Sequence, residues 1–66
     1  MKFKHDGYHK DGSMCVIGYD DNGAKIAIFR GFYDDRKNVV TIYPKCCLVP
    51  TRENLGKRSI PASLLH

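Results

Sequence analysis

Tryptophan is missing from this sequence, and cysteine, proline and acidic residues are few. The 66 residues include no Trp, three Cys, three Pro and seven Asp or Glu. No apolar run approaches the roughly 20 residues that a membrane-spanning helix needs, and the basic N-terminus lacks the apolar stretch of a signal peptide. An odd number of cysteines, with Cys46 and Cys47 adjacent, is a poor disulfide framework for a secreted domain. We therefore expect a soluble, cytoplasmic protein that keeps its thiols reduced and does not contact membranes.

The short chain also excludes a multidomain protein, because domains usually need about 50 residues or more. A domain of this size buries only about 60% of the surface of its unfolded chain, so its core is thin and a deep catalytic cleft is excluded. We divide the chain into residues 1–12, a basic segment or first strand, and residues 13–66, a single small domain. The net charge is +4, with basic residues concentrated towards both ends and acidic residues in the middle.

Strand signals dominate the rest of the chain. No window has the three-and-four spacing of apolar residues that marks an amphipathic helix. Residues 13–19, 24–32 and 39–43 are rich in β-branched and aromatic residues, and residues 60–65 are typical of a short edge strand that tolerates Pro61. These segments predict an antiparallel meander with a closing strand.

The strongest turn signal is Asn22-Gly23. Asn-Gly is the preferred centre of a two-residue type I′ turn, because both positions of that turn need a positive φ. A hairpin with this loop fixes the register of its strands. It pairs Asp20 with Lys25, Tyr19 with Ile26, Ile17 with Ile28 and Val16 with Phe29.

The length of the next loop decides which side chains form the core, because a slip of one residue inverts a strand. A five-residue loop over residues 34–38 collects the aliphatic residues in one core, whereas a four-residue loop mixes the two faces. We favour the five-residue loop. The predicted core is then Ile17, Ile26, Ile28, Phe32, Val40 and Ile42, and the opposite face presents Phe29, Tyr33 and Tyr43. Arg30 falls on the core side, and a bulge at Gly31 would relieve its burial.

The closing segment Ile60-Pro61-Ala62-Ser63-Leu64-Leu65, after a meander of strands, resembles the last strand of SH3-like small β-barrels. That resemblance implies an all-β, partly open barrel of about five antiparallel strands with little or no helix. The chain lacks the Trp, the acidic stretch beside it and the early Ala-Leu-Tyr motif of SH3 domains that bind proline-rich peptides. The resemblance therefore implies a small barrel that binds nucleic acid or a partner protein.

Three residue patterns could indicate a metal site or a catalytic site, and each lacks a supporting motif. His5 and His9 with the cysteines could offer metal ligands, but there is no Cys-x-x-Cys, and adjacent cysteines in a strand point to opposite faces. A Cys–His pair has no local signature. General acid–base catalysis, as in small ribonucleases, could use His5, His9, Arg30, Arg36 and Tyr43. The folds of such ribonucleases, however, normally add a helix to the sheet. We expect no metal, no cofactor and no catalysis.

Aromatic residues interleaved with cations favour nucleic-acid binding, because aromatic rings stack on bases and cations contact phosphates. The alternative is that these rings fill the small barrel. The predicted nucleic-acid-binding residues are Lys25, Phe29, Tyr33, Arg36, Lys37, Tyr43, Arg52, Lys57 and Arg58.

The acidic hairpin turns support a second hypothesis, a regulatory module that binds a protein. Acidic loops beside an exposed aromatic residue could dock a basic partner, with electrostatics setting the rate of encounter. Exposed edge strands and spare aromatic surface also favour a homodimer. The residues of this alternative are Asp20, Asp21, Tyr33, Asp34 and Asp35.

Overall fold

Five antiparallel strands form one open sheet, in agreement with the all-β prediction. A computed structural model describes residues 2–48 and 56–65. The strands are β1 (Lys2–Tyr8), β2 (Met14–Tyr19), β3 (Lys25–Asp34), β4 (Val39–Cys47) and β5 (Arg58–Pro61), and each pairs with its neighbour in chain order. The predicted strand over residues 60–65 is displaced, because β5 begins at Arg58 and ends at Pro61, and a 3-10 turn, Ala62–Leu64, follows it.

The core lies on one side of this sheet, which we call the inner face. It consists of Val16, Ala27, Phe29, Val40, Ile42 and Ile60, which are 93% or more buried. Phe3 of β1 and Leu65, after β5, also pack on this cluster. The guanidinium of Arg58 lies 5.8 Å from the centre of the Phe3 ring. Side chains from the two edge strands therefore meet over the core, and the sheet curls around it.

The core differs from the predicted one because the β3–β4 loop has four residues. β3 ends at Asp34, which pairs with Val39, so the loop is residues 35–38. An Asp34 carboxylate oxygen accepts the Arg36 N–H, and Asn38 adopts a positive φ of 53°, which Asn tolerates better than most residues. Val40 and Ile42 consequently pack with Phe29, and Phe32 is 51% exposed. Ile17 and Ile26 are buried but outside this cluster.

The β2–β3 turn is not type I′. Asn22 has no positive φ, and Gly23 alone in this turn does, at 84°. The Gly23 N–H donates to the Asp20 carbonyl, and the Asp20 N–H donates to the Ala24 carbonyl, which is the three-residue form of hairpin loop with a left-handed glycine. The extra loop residue shifts the register at the turn, so that Tyr19 and not Asp20 pairs with Lys25, and an irregularity between Gly18 and Tyr19 confines the shift to this end of the hairpin. The pairs Ile17–Ile28 and Val16–Phe29 are as predicted.

Gly31 carries no bulge, contrary to prediction, and pairs regularly with Met14 and Ile42. The bulge in β3–β4 pairing lies between Ile28 and Phe29. Arg30 is exposed on the side opposite the core, which we call the outer face. Gly31 faces the core, where a Cβ atom would come within 3.0 Å of side-chain carbons of both Val16 and Val40. The absence of a side chain lets strands β2 and β4 pack closely over it.

We therefore expect Gly31→Ala to lower the free energy of unfolding by about 1–3 kcal/mol, the usual cost of overpacking a core. Urea denaturation followed by circular dichroism measures it. The backbone of Gly31 is not in the left-handed region, so steric crowding alone causes the loss. Val40→Ala removes one of the crowding groups, and Gly31→Ala should cost less in that background. An equal cost in both backgrounds would contradict this explanation.

Candidate nucleic-acid interface

An aromatic groove lies on the outer face, where Arg30, Phe32 and Tyr43 line a shallow depression of about 450 Å³. Register pairing places Arg30 directly opposite Tyr43, and alternation along β3 places Phe32 on the same side as Arg30. The Phe32 and Tyr43 rings meet edge to face with centroids 5.6 Å apart, and both are exposed. Lys57 completes the groove, because its ammonium lies 5.5 Å from the Tyr43 ring centre.

A polar recess of about 580 Å³ adjoins this groove and shares Arg30 with it. It is lined by Tyr8, His9, Lys10, Asp11, Arg30 and Lys45. Its lining therefore carries three cationic side chains and one carboxylate. Together with Lys57, the aromatic groove and the polar recess form what we call the basic-aromatic surface.

The β1–β2 turn presents part of this recess. The His9 N–H donates to the Ser13 carbonyl, the Gly12 N–H donates to the His9 carbonyl, and Gly12 has a φ of 90°. The β2–β3 turn has the same hydrogen bonds and the same left-handed glycine. A glycine in the fourth of five positions permits this loop at no steric cost. In the β1–β2 turn the residues before the glycine are Lys10 and Asp11, which places both at the recess.

Hydrogen bonds hold the side chains of the recess in place. His9 Nε2 lies 3.1 Å from the Phe29 carbonyl oxygen, and His9 Nδ1 lies 3.3 Å from Lys45 Nζ. A carbonyl only accepts and an ammonium only donates, so these two contacts fit the tautomer with the proton on Nε2 and the lone pair on Nδ1. Lys45 thus donates to the imidazole.

Asp11 holds the second cation of the recess. One carboxylate oxygen accepts the Ser13 hydroxyl at 2.6 Å and the Ser13 N–H at 2.9 Å, and the other lies 3.5 Å from Arg30 Nε. The two hydrogen bonds from Ser13 lower the pKa of the Asp11 carboxyl below its ordinary value of 3.8, desolvation opposes them, and the charge of Arg30 lowers the pKa further. Asp11 is therefore ionised throughout the neutral range and keeps its contact with Arg30.

The predicted aromatic face is wrong in two of its three members. Phe29 is fully buried in the core, because the four-residue loop turns it inward. Tyr33 is 53% exposed but pairs with Val40 of the inner face, and its hydroxyl donates to an Asn38 side-chain oxygen at 2.7 Å. Tyr43 lies in the aromatic groove, with Phe32 as its neighbour.

The predicted cations are spread over the molecule. Lys25 begins β3, whereas Arg36 and Lys37 lie in the loop beyond its other end. Ten residues of strand separate these positions by about 30 Å. Lys57 contacts Tyr43 on the outer face, while Arg58 pairs with Ile42 and lies over Phe3. Arg52 lies outside the described residues.

Sequence reasoning missed the cations and the ring that complete the surface. The core predicted from the sequence includes Phe32, and the predicted sites include none of Lys10, Lys45 and Tyr8. The loop length was the available signal, since a four-residue loop brings Arg30, Phe32 and Tyr43 to one face. His9 and Arg30 had been considered for catalysis with His5, but His5 pairs with Val16, and its ring packs edge-on against Tyr8.

The acidic turns of the alternative hypothesis lie at opposite ends of β3. One Asp20 carboxylate oxygen accepts the N–H groups of Asn22 and Ala24, each at 2.9 Å. Asp34 accepts the Arg36 N–H in the same way. Two of the four carboxylates thus have a structural role in closing their turns, and Asp21 and Asp35 are exposed beside them. Tyr33 is near one acidic pair only.

Comparison of the chain with protein-family models, with curated proteins and with solved structures finds no match. Within residues 2–48 and 56–65, no three His, Cys, Asp or Glu side chains cluster in a way that could hold a metal ion. The same residues contain no helix long and apolar enough to cross a membrane. Function therefore has to be argued from the basic-aromatic surface itself.

Proposed function

We propose that this protein binds single-stranded nucleic acid, RNA or DNA, through the basic-aromatic surface. The observation that carries the proposal is the exposed Phe32–Tyr43 pair, flanked by Lys57 and opening at Arg30 onto the polar recess. Two neighbouring rings offer bases a stacking platform, and the surrounding cations offer the backbone neutralising charge. The protein needs neither cofactor nor catalytic group for this activity.

The aromatic groove suits a single strand better than a duplex. A ring can stack on a base only where the face of that base is free, and in a duplex neighbouring base pairs cover both faces. The groove is also shallow and lies on the convex side of a curled sheet, so it admits a splayed base from solvent. Stacking contributes about 1–3 kcal/mol per base and tolerates any base, because every base has a π-face.

Charge supports the same partner. Lys10, Arg30, Lys45 and Lys57 lie on the surface with Asp11 as the single acidic residue among its lining, and the whole chain has a net charge of +4. Such a field raises the local concentration of a polyanion and speeds its association. The resemblance to SH3-like barrels and a regulatory role are parts of the same proposal. A small non-catalytic protein regulates by occupying its target.

Salt dependence tests the proposal. Anisotropy of a labelled oligouridylate or oligothymidylate, titrated with the protein at 50, 100 and 200 mM salt, gives the association constant at each concentration. Three to four phosphate contacts on a single strand predict a slope of about −2 to −3 for log K against log salt. Duplex DNA of the same length is the control, and we expect weaker binding because it cannot stack on the groove.

Absence of binding to both single strands at 50 mM salt would overturn the proposal. Binding that does not change with salt would overturn its electrostatic part. Equal affinity for duplex and single strand would assign the interaction to charge alone and remove the stacking role of the groove.

A further inference from the structure

Lys45 and Arg30 are two of the three cationic side chains of the polar recess. Each is oriented by a neighbouring side chain that is itself held by hydrogen bonds. Lys45 donates to His9 Nδ1, while His9 Nε2 donates to the Phe29 carbonyl. Arg30 contacts Asp11 through Nε, and Asp11 is held by both donors of Ser13. His9 is thus held by a carbonyl acceptor of the core strand β3, and Asp11 is held by two donors at the closed β1–β2 turn.

Both cations keep unused donors. Lys45 Nζ has one hydrogen-bond partner among the described residues, which leaves two ammonium hydrogens. Arg30 uses only Nε in its ion pair, so its two terminal nitrogens have no partner in the described part of the chain. The free edge of a guanidinium matches two oxygens of one phosphate group, and an ammonium adds a point charge.

We propose that the polar recess is a phosphate-binding site, formed by Arg30 and Lys45 with Lys10 at its rim, and that it holds one phosphate of the strand whose base stacks on Tyr43. This inference rests on the proposed function for the source of the phosphate. Arg30 lines both the recess and the aromatic groove, so a phosphate on its terminal nitrogens is next to the stacking platform. Asp11 and His9 are positioning residues that fix the two cations before the ligand arrives.

Prior orientation of these cations has an energetic consequence. A free lysine or arginine loses side-chain rotamer freedom when it immobilises on a ligand, at a cost of about 0.5–1.5 kcal/mol for each side chain. The contacts with Asp11 and His9 already restrict Arg30 and Lys45 in part. A phosphate in the recess therefore binds more tightly than the same phosphate beside an unrestrained surface lysine such as Lys25.

Nuclear magnetic resonance of the full chain tests the site with inorganic phosphate as the probe. We expect shifts of the Arg30 Nε–H signal and of the backbone amides of residues 9–13 that saturate with phosphate, measured against sodium chloride at matched ionic strength. Lys45→Gln should raise the phosphate dissociation constant by about tenfold, the effect of removing a charged hydrogen bond. Lys25→Gln is the matched control, and phosphate affinity should not change because Lys25 begins β3 and does not line the recess.

An oligouridylate titration of the same samples separates this inference from the proposed function. Shifts at Phe32 and Tyr43 with oligouridylate, but none in the recess with phosphate, would overturn the phosphate site and leave strand binding intact. Saturable phosphate shifts with no oligouridylate binding would support the site and overturn the proposed function. Equal shifts with chloride and phosphate, or equal phosphate affinity in wild type and Lys45→Gln, would also overturn the site.

Discussion

Phe29→Ala is expected to remove a large part of the free energy of unfolding of this protein. The Phe29 side chain is fully buried, it contacts the Phe3 ring edge to face at 5.8 Å, and it lies in one cluster with Val16 and Ile42. Truncation of such a phenylalanine costs about 3–5 kcal/mol. A 66-residue domain has a total stability of about 3–10 kcal/mol on the scale of other proteins. One substitution therefore removes a large part of the folding free energy.

Phe32→Ala is the matched control for this prediction. It deletes the same side chain three positions along the same strand, where the ring is 51% exposed. We expect a loss below about 1 kcal/mol, because most of that surface is already in contact with water. Urea denaturation followed by far-ultraviolet circular dichroism measures both variants. A larger loss for Phe32→Ala than for Phe29→Ala would mean that the inner and outer faces of β3 are exchanged.

The sequence prediction also exchanged the inner and outer faces of β3, and the reason is physical. Strand identity follows from local propensity, so β2, β3 and β4 could be predicted from their β-branched and aromatic residues. Register depends on loop length, and residues 34–38 permit either a four- or a five-residue connection. Collecting all the aliphatic residues in one core favoured the longer loop. Asp34 and Asn38 close the shorter one, through a side-chain acceptor and a left-handed backbone.

The predicted turn type of the β2–β3 hairpin was also wrong, for a related reason. Asn-Gly permits two loops, a two-residue turn with two positive φ values and a three-residue turn with one. Asp20 favours the second, because its carboxylate accepts two N–H groups of the turn. Gly12 forms the same loop in the β1–β2 turn. In the β2–β3 hairpin the Asp20 acceptor is thus a signal that the Asn-Gly pair alone does not contain.

The candidate surface could be predicted only in part, because it combines residues that are distant in the sequence. Tyr43 and Lys57 were selected for their chemistry, and they meet in the structure. Lys45 reaches His9 across 36 positions of sequence, and this contact depends on the bulge between Ile28 and Phe29. No local pattern encodes a contact of that kind. Residue type can therefore nominate a cation for a site, but the sheet register decides which cations share one.

Tyr43→Ala is expected to weaken binding of a single-stranded oligonucleotide by about fivefold or more. The ring is 40% exposed, meets Phe32 edge to face and lies under the Lys57 ammonium. Loss of one stacking ring costs about 1–3 kcal/mol, which corresponds to roughly 5- to 150-fold in the dissociation constant. Anisotropy titrations at a single salt concentration measure the effect. Tyr43→Phe keeps the ring and should bind nearly as well as the wild type.

Tyr33→Ala provides the control that makes this result specific. Tyr33 is another exposed tyrosine of the β3–β4 hairpin, but its pairing with Val40 places it on the other side of the sheet from Tyr43. Its removal should leave oligonucleotide affinity unchanged. If Tyr33→Ala weakened binding and Tyr43→Ala did not, the strand would bind at the end of the sheet that carries Asp34, Asp35, Arg36 and Lys37. That outcome would remove the basic-aromatic surface from the mechanism.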